Sequence, residues 1–260
     1  MLRIMIRRLI IITAIIIFNF HFSILNHANA QVGDYRHIWT FGVSGGYAMN
    51  KVNFMPDISQ KNHGGYSYGI VGRYTSEKYF STICSLQMEV NITQLGWKEN
   101  IQTLSGEQVI NPTSGLPEEY KRDITYVQIP FMAHLAWGKE RRGINGFVNA
   151  GPQIGFYTKD NITKNYDLPY IPDNFPDYTE GKTRVSTEVK QETMAIEKKF
   201  DYGIAVGGGV EWDIKYIGRI SLEGRYYYGL GNLYGDSKKD EFGKSSNSTI
   251  YVKFAYLRDF

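Results

Sequence analysis

Apolar and polar residues alternate along most of the chain with the two-residue period of a β-strand. The clearest case is TYVQIPFMAHLAWGKERRGINGFVNAGPQIGF, residues 125–156. Val127, Ile129, Phe131, Ala133, Leu135 and Trp137 share one parity, while Gln128, Pro130, Met132, His134 and Ala136 share the other. After a charged turn, 138–145, the pattern resumes with Val148, Ala150, Pro152, Ile154 and Phe156 against Asn149, Gly151, Gln153 and Gly155. Two such strands in succession predict a hairpin. The same alternation predicts three strands before it, at 39–50, 66–74 and 80–97, and three after it, at 200–212, 220–230 and 247–260.

The connections carry a second pattern. Residues 51–65, 98–124, 157–199 and 231–246 are long, polar or broken by proline, and they alternate with short links at 75–79, 138–145 and 213–217. Eight strands joined alternately by long and short connections are the layout of a transmembrane barrel with short periplasmic turns and longer outside loops. A strand such as 200–212, at about 3.3 Å per residue and a tilt near 40°, rises roughly 30 Å, enough to cross an apolar band of about 25 Å. The expected fold is therefore all-β: an eight-stranded antiparallel up-and-down transmembrane β-barrel with four long outer loops and short periplasmic turns. In a soluble barrel the apolar parity would point inward and the opposite one into water. Here the opposite parity is Gly, Ser and Ala with scattered charges, so the apolar parity is expected to meet outer-membrane lipid.

Aromatics gather where the two membrane interfaces would fall, a placement that suits rings with one apolar and one polar edge. Trp39, Tyr79, Phe80, Trp137, Phe147, Trp212, Tyr216 and Phe260 are expected in a belt at the short-turn end. Tyr66, Tyr68, Trp97, Tyr126, Phe156, Phe200, Tyr202 and Tyr228 are expected in one at the long-loop end.

The first residues add an address. Arg3, Arg7 and Arg8 precede an apolar run from Leu9 to Phe18, and Ala28-Asn29-Ala30 supplies a small-x-small cleavage pattern. Residues 1–30 thus read as a secretory signal peptide, leaving 31–260 as the barrel domain. The chain has 29 Lys and Arg against 26 Asp and Glu, and the leader holds three of the Arg. The exported part is near neutral and gives no support to nucleic-acid binding. One cysteine, Cys84, excludes an internal disulfide framework.

Candidate chemistry is sparse. The inward parity carries Arg73, Glu89, Asp201, Glu211, Glu223, Arg225 and Lys253. An eight-stranded barrel is just wide enough to be filled by side chains, so these charges are expected to pair across the lumen. Gly203, Gly207 and Gly209 share that face and leave room for neighbours such as Arg225 and Tyr227. Beyond the leader the histidines are His37, His63 and His134, with His63 expected in an outer loop and His134 inward near the periplasmic end. No Ser or Asp partner is fixed to either by spacing, so no catalytic, cofactor-binding or metal residues are assigned and no cofactor is expected. Tyr, Asp and Pro in 157–199 offer a recognition surface as an alternative to a solvated loop.

At YVQIPFMAHLAWG, FVNAGPQIGF, FDYGIAVGGGVEW and ISLEGRYYYGLGN the sequence resembles the PorT-like outer-membrane β-barrel family of Bacteroides-type bacteria. The resemblance rests on Ile129-Pro130, on Ala150-Gly151-Pro152, on the Gly-rich strand opened by Phe200-Asp201, and on Arg225 to Leu230. It covers most of the exported chain except the long loops. It implies an outer-membrane barrel of about eight strands and, for the family's namesake, a role in a protein-secretion and gliding apparatus. The end of the chain also looks like a signal read by the outer-membrane assembly machinery, with Phe260 on the parity of Tyr256, Phe254 and Val252. Arg258 departs from the usual apolar residue there. The expected function is a non-catalytic envelope or binding barrel with an envelope protein as partner. Two alternatives stay open: an accessory subunit of a secretion machine, and a small lipid-modifying enzyme.

Overall fold

A computed structural model describes residues 34–103, 105–111, 114–138, 143–166, 190–235 and 240–260. The predicted signal peptide and most of the 157–199 connection lie outside the described residues.

Eight long strands form a closed ring: β1 (Asp34–Met55), β3 (His63–Tyr79), β4 (Thr82–Glu99), β5 (Tyr120–Gly138), β6 (Gly143–Lys164), β7 (Phe200–Ile214), β8 (Gly218–Gly229) and β9 (Lys244–Asp259). A two-residue strand, β2 (Gln60–Lys61), adds to the outer end of β4. Each long strand pairs antiparallel with its neighbour in sequence, and β9 returns to β1, so no edge of the ring is left unpaired. Closure pairs the strands on both sides through the part of the wall they share, which is what a sheet needs in lipid, while the outer ends of β1 and β6 pair on one side only.

All eight predicted strands are present, but the wall is taller than the pattern suggested. β1 and β6 each run 22 residues. At about 3.3 Å per residue and a tilt near 40° that is roughly 55 Å, about twice the apolar band. The connection expected at 51–65 is consequently not a long loop, since β1 continues to Met55 and β3 begins at His63. His63 is not in a loop either; it opens β3 and is buried.

The orientation of the two parities is as expected from the alternation. Val43, Ile70, Leu86, Phe131, Ile204 and Phe254 are exposed on the outside, while Thr40, Ser44, Gln87, Asn149, Ser221 and Lys253 are buried inside. Trp39 meets Tyr74 at a tilt, with 4.8 Å between ring centroids, and Phe41 meets Phe260 at the short-turn end. Tyr47 meets Tyr66 edge-on at 5.8 Å, and Phe156 meets Phe200 at 5.4 Å, toward the other end. Three residues assigned to the belts are instead inside the wall: Trp97, Tyr126 and Phe147 are all buried. Their parity is that of their inward neighbours Thr93, Gln128 and Asn149, and parity decides the face whatever the ring chemistry.

Candidate functional site

The lumen is filled in three tiers. The middle tier is ionic. Arg225 on β8 reaches Glu223 on the same strand (Nε to Oε1, 2.5 Å) and Glu89 across the barrel on β4 (Nη2 to Oε1, 2.6 Å). Lys253 on β9 also donates to Glu89, and Glu89 in turn accepts from Gln87 and Asn91. These side chains are almost wholly buried, so the alternation of signs is what makes the arrangement tolerable. The glycines on β7 make the room. A Cβ on Gly207 would stand 2.7 Å from the Glu223 carboxylate, and one on Gly203 2.8 Å from the Tyr227 ring. A void of about 10 Å³, a single water's worth, lies in this tier beside Glu89, Glu223 and Lys253.

The outer tier is an apolar cap that the sequence did not announce. Phe54, Trp97, Tyr234 and Phe242 pack ring against ring, with Phe54 5.2 Å from Trp97 and 5.1 Å from Phe242. Leu95, Tyr120, Ile196 and Leu233 complete the cluster. At its centre Arg122 on β5 lies over the Trp97 ring at 5.6 Å. Its guanidinium donates to Asp160 on β6 (2.7 Å from Nε), to the carbonyls of Met194 (2.7 Å) and Gln191 (3.2 Å), and to the Tyr234 hydroxyl (3.1 Å). One buried side chain therefore ties two strands to the segment before β7 and to the β8–β9 connection. The signal was present in the pattern: Tyr120, Arg122 and Ile124 continue the inward parity of Tyr126 and Gln128.

Beside the cap, His63 Nε2 meets Asp123 Oδ1 at 2.7 Å, a partner that spacing could not supply because it lies 60 residues away. Burial lowers the His63 pKa, and the hydrogen bond and charge of Asp123 pull it back up without cancelling the burial.

The third tier, at the short-turn end, is open. A cavity of about 80 Å³ is lined by Arg36, Arg73, His134, Asn145, Glu211, Asp213, Arg219 and Asp259, among others. Arg73 pairs with Glu211 at 2.6 Å and donates to Gln87, which joins this tier to the one above. His134 lies 3.5 Å from the same carboxylate, with neither ring nitrogen hydrogen-bonded. Ser85 is directly opposite His134 in the β4–β5 register, but its hydroxyl pairs with Thr75 at 3.0 Å. Among the described residues no three His, Cys, Asp or Glu side chains converge on a point that could hold a metal ion. Cys84 is a half-buried free thiol.

A closed antiparallel ring with an apolar exterior and an ionic interior requires lipid around it, and the sequence family agrees: the outer membrane protein beta-barrel domain matches residues 29–235. The chain belongs to that family. It is an outer-membrane protein, its short turns facing the periplasm and its longer connections the outside. No curated protein matches the chain. Among solved structures it is similar to OprG from Pseudomonas aeruginosa, with 11% identity over 87% of this chain and 98% of that one and a TM-score of 0.41. It is also similar to Neisserial surface protein A, with 12% identity over 84% and 96% of the two chains and a TM-score of 0.38. A third is Ail, the attachment invasion locus protein of Yersinia pestis, with 12% identity over 84% and 98% and a TM-score of 0.35.

Proposed function

We propose that this barrel is a closed, non-catalytic envelope protein of the PorT-like kind, which acts through the rigid outer end of its wall on an envelope protein partner. The observation that carries the reading is the Arg122 centre: it fixes β5, β6 and two outer connections into one platform above the bilayer while sealing the lumen beneath. A pre-ordered surface loses little entropy on binding, which suits it to a protein partner. The PorT-like reading gains support from where the motif residues fall. Arg225 of the Arg225–Leu230 motif is the hub of the ionic tier. Gly151 of Ala-Gly-Pro stands where a Cβ would lie 2.0 Å from the Phe131 carbonyl oxygen, so the glycine permits the close approach of β5 and β6. Asp201, from the opening of the Gly-rich strand, accepts from Asn247 at 3.1 Å.

His63 and His134, the two inward histidines, hydrogen-bond to no hydroxyl that they could activate, and His37 meets only the exposed Tyr74 hydroxyl at 2.7 Å, which fits a non-catalytic role. Phe260 places its ring on the lipid-facing side beside Phe41, an accessible position for recognition by the outer-membrane assembly machinery. Planar-bilayer recording should show no unitary conductance, and stepwise openings would defeat the reading of a sealed barrel. Crosslinking in intact envelopes separates the two partner readings. A recurrent complex with large secretion components would favour the accessory-subunit role, whereas a lone monomer under the same crosslinker would remove the protein-partner reading. Unchanged lipid composition on replacing His63 and His134 with Ala is the expected result for a protein without lipid-modifying activity.

A further inference from the structure

The cavity at the periplasmic mouth is built differently from the rest of the lumen. In the middle tier opposite charges meet at contact, Arg225 at 2.5 and 2.6 Å, and at the cavity's inner edge Arg73 meets Glu211 at 2.6 Å. Arg219 instead stands among three carboxylates and holds only one of them, through a long hydrogen bond from Nη2 to Asp213 at 3.5 Å, with Glu211 at 3.7 Å and Asp259 at 4.0 Å. All three distances exceed the 2.7–2.9 Å typical of a charge-assisted hydrogen bond. The Arg219 Nε has no hydrogen-bond partner, and neither do both nitrogens of His134 and the side-chain oxygen of Asn145. His134 is 1% exposed and lines the cavity. Groups so placed at an open mouth are matched by water or by a polar ligand that displaces it.

Charge narrows what that is. An anion approaching Arg219 would meet Glu211, Asp213 and Asp259. A cation approaching those carboxylates would meet Arg219 and Arg73. A molecule that carries both charges a few bonds apart satisfies both sets, its carboxylate against Arg219 and His134 and its ammonium toward Asp213 and Asp259. The 80 Å³ void holds about five to eight water centres at roughly 10–15 Å³ each, which matches a small organic zwitterion. We propose that the periplasmic mouth of the barrel is a binding site for a small free α-amino acid.

The test uses the full barrel refolded in lipid nanodiscs, with ¹⁵N-labelled His and Arg side chains followed by NMR. Glycine is the probe, with acetate and methylammonium as single-charge controls at equal concentration. Glycine should shift the His134 and Arg219 side-chain signals saturably, and each control should bind at least about tenfold more weakly. Asp213→Asn, at the partly exposed rim, should weaken glycine about tenfold while improving acetate, and retained heat-modifiable migration on gels would show that the variant is folded. Acetate or methylammonium titrating as well as glycine would overturn the proposal. So would the absence of any saturable shift, which would leave a cavity filled with water alone.

Discussion

Arg225 holds two carboxylates that have no access to water, so its loss leaves Glu223 and part of Glu89 as uncompensated buried charge. Arg225→Met is expected to lower stability by about 3–5 kcal/mol, the usual cost of breaking a buried pair. Urea unfolding in detergent micelles would read this as a lower midpoint at unchanged slope, with Arg258→Ala on the exposed face as a near-neutral control. His63 gives a prediction in pH. Its folded pKa is lowered by burial, so below the ordinary value of 6.5 the unfolded chain takes up a proton that the folded one refuses. Stability contributed by the outer end should therefore fall as the pH drops from about 7.5 and level off only below the folded pKa. His63→Asn should flatten that slope, as followed by amide exchange around Asp123. At this scale the inward charges are legible in the sequence, because Glu89, Glu223, Arg225 and Lys253 fall on the parity opposite the apolar residues of their strands. Trp97, Tyr126 and Phe147 face inward and not toward the interfacial belts, because parity and not ring chemistry sets the face a strand residue takes.

The strands were legible in their lipid-crossing halves and not in their outer ones, and β4 shows the reason. Between Ser85 and Ile92 the outward residues are Leu86, Met88, Val90 and Ile92, and the inward ones Ser85, Gln87, Glu89 and Asn91. From Gln94 onward the pattern inverts: Gln94 and Lys98 face out while Leu95 and Trp97 are buried. Beyond this point the extended ends of β1, β4, β5 and β6 carry polar residues outward and enclose an apolar core. The inversion made 51–65 read as a polar loop although most of it is strand, and hid the first residues of β5 at 120–124 inside the connection read at 98–124. It also locates the outer surface of the bilayer between Ile92 and Gln94. A charge placed below that level should cost far more than one above it. Ile204→Arg on the lipid face of β7 is expected to destabilise by about 2–4 kcal/mol, against about 0–1 kcal/mol for Gln94→Arg. Unfolding of both variants from lipid vesicles by guanidinium would measure the difference, and equal penalties would put the boundary elsewhere.

At the scale of the molecule, the three tiers divide the lumen into a sealed outside, a packed middle and an accessible periplasmic mouth. The seal depends on connections whose sequence looks like solvated loop, since Leu233, Tyr234 and Phe242 sit in a stretch dominated by Gly, Asp, Lys and Ser. Only the tertiary partner explains their burial: Arg122 binds the Tyr234 hydroxyl and the carbonyls of Gln191 and Met194 at once, so the cap stands or falls with it. Arg122→Ala should remove the cation from Asp160 and the donor from the Met194 carbonyl, leaving Asp160 with Tyr157 and the Gln191 carbonyl with Tyr120 and Tyr234 alone, and so weaken the closed cap by about 3 kcal/mol and raise its open population roughly 100-fold. The membrane tiers share no contact with this guanidinium, so the variant should still insert and remain heat-modifiable. Limited proteolysis from outside intact cells would separate the two effects. Cleavage near residues 190–199 or 230–243 should accelerate about as much as the open population rises, provided closure outruns cutting. Cleavage at the wild-type rate would mean that the aromatic cluster holds the mouth shut without its central cation.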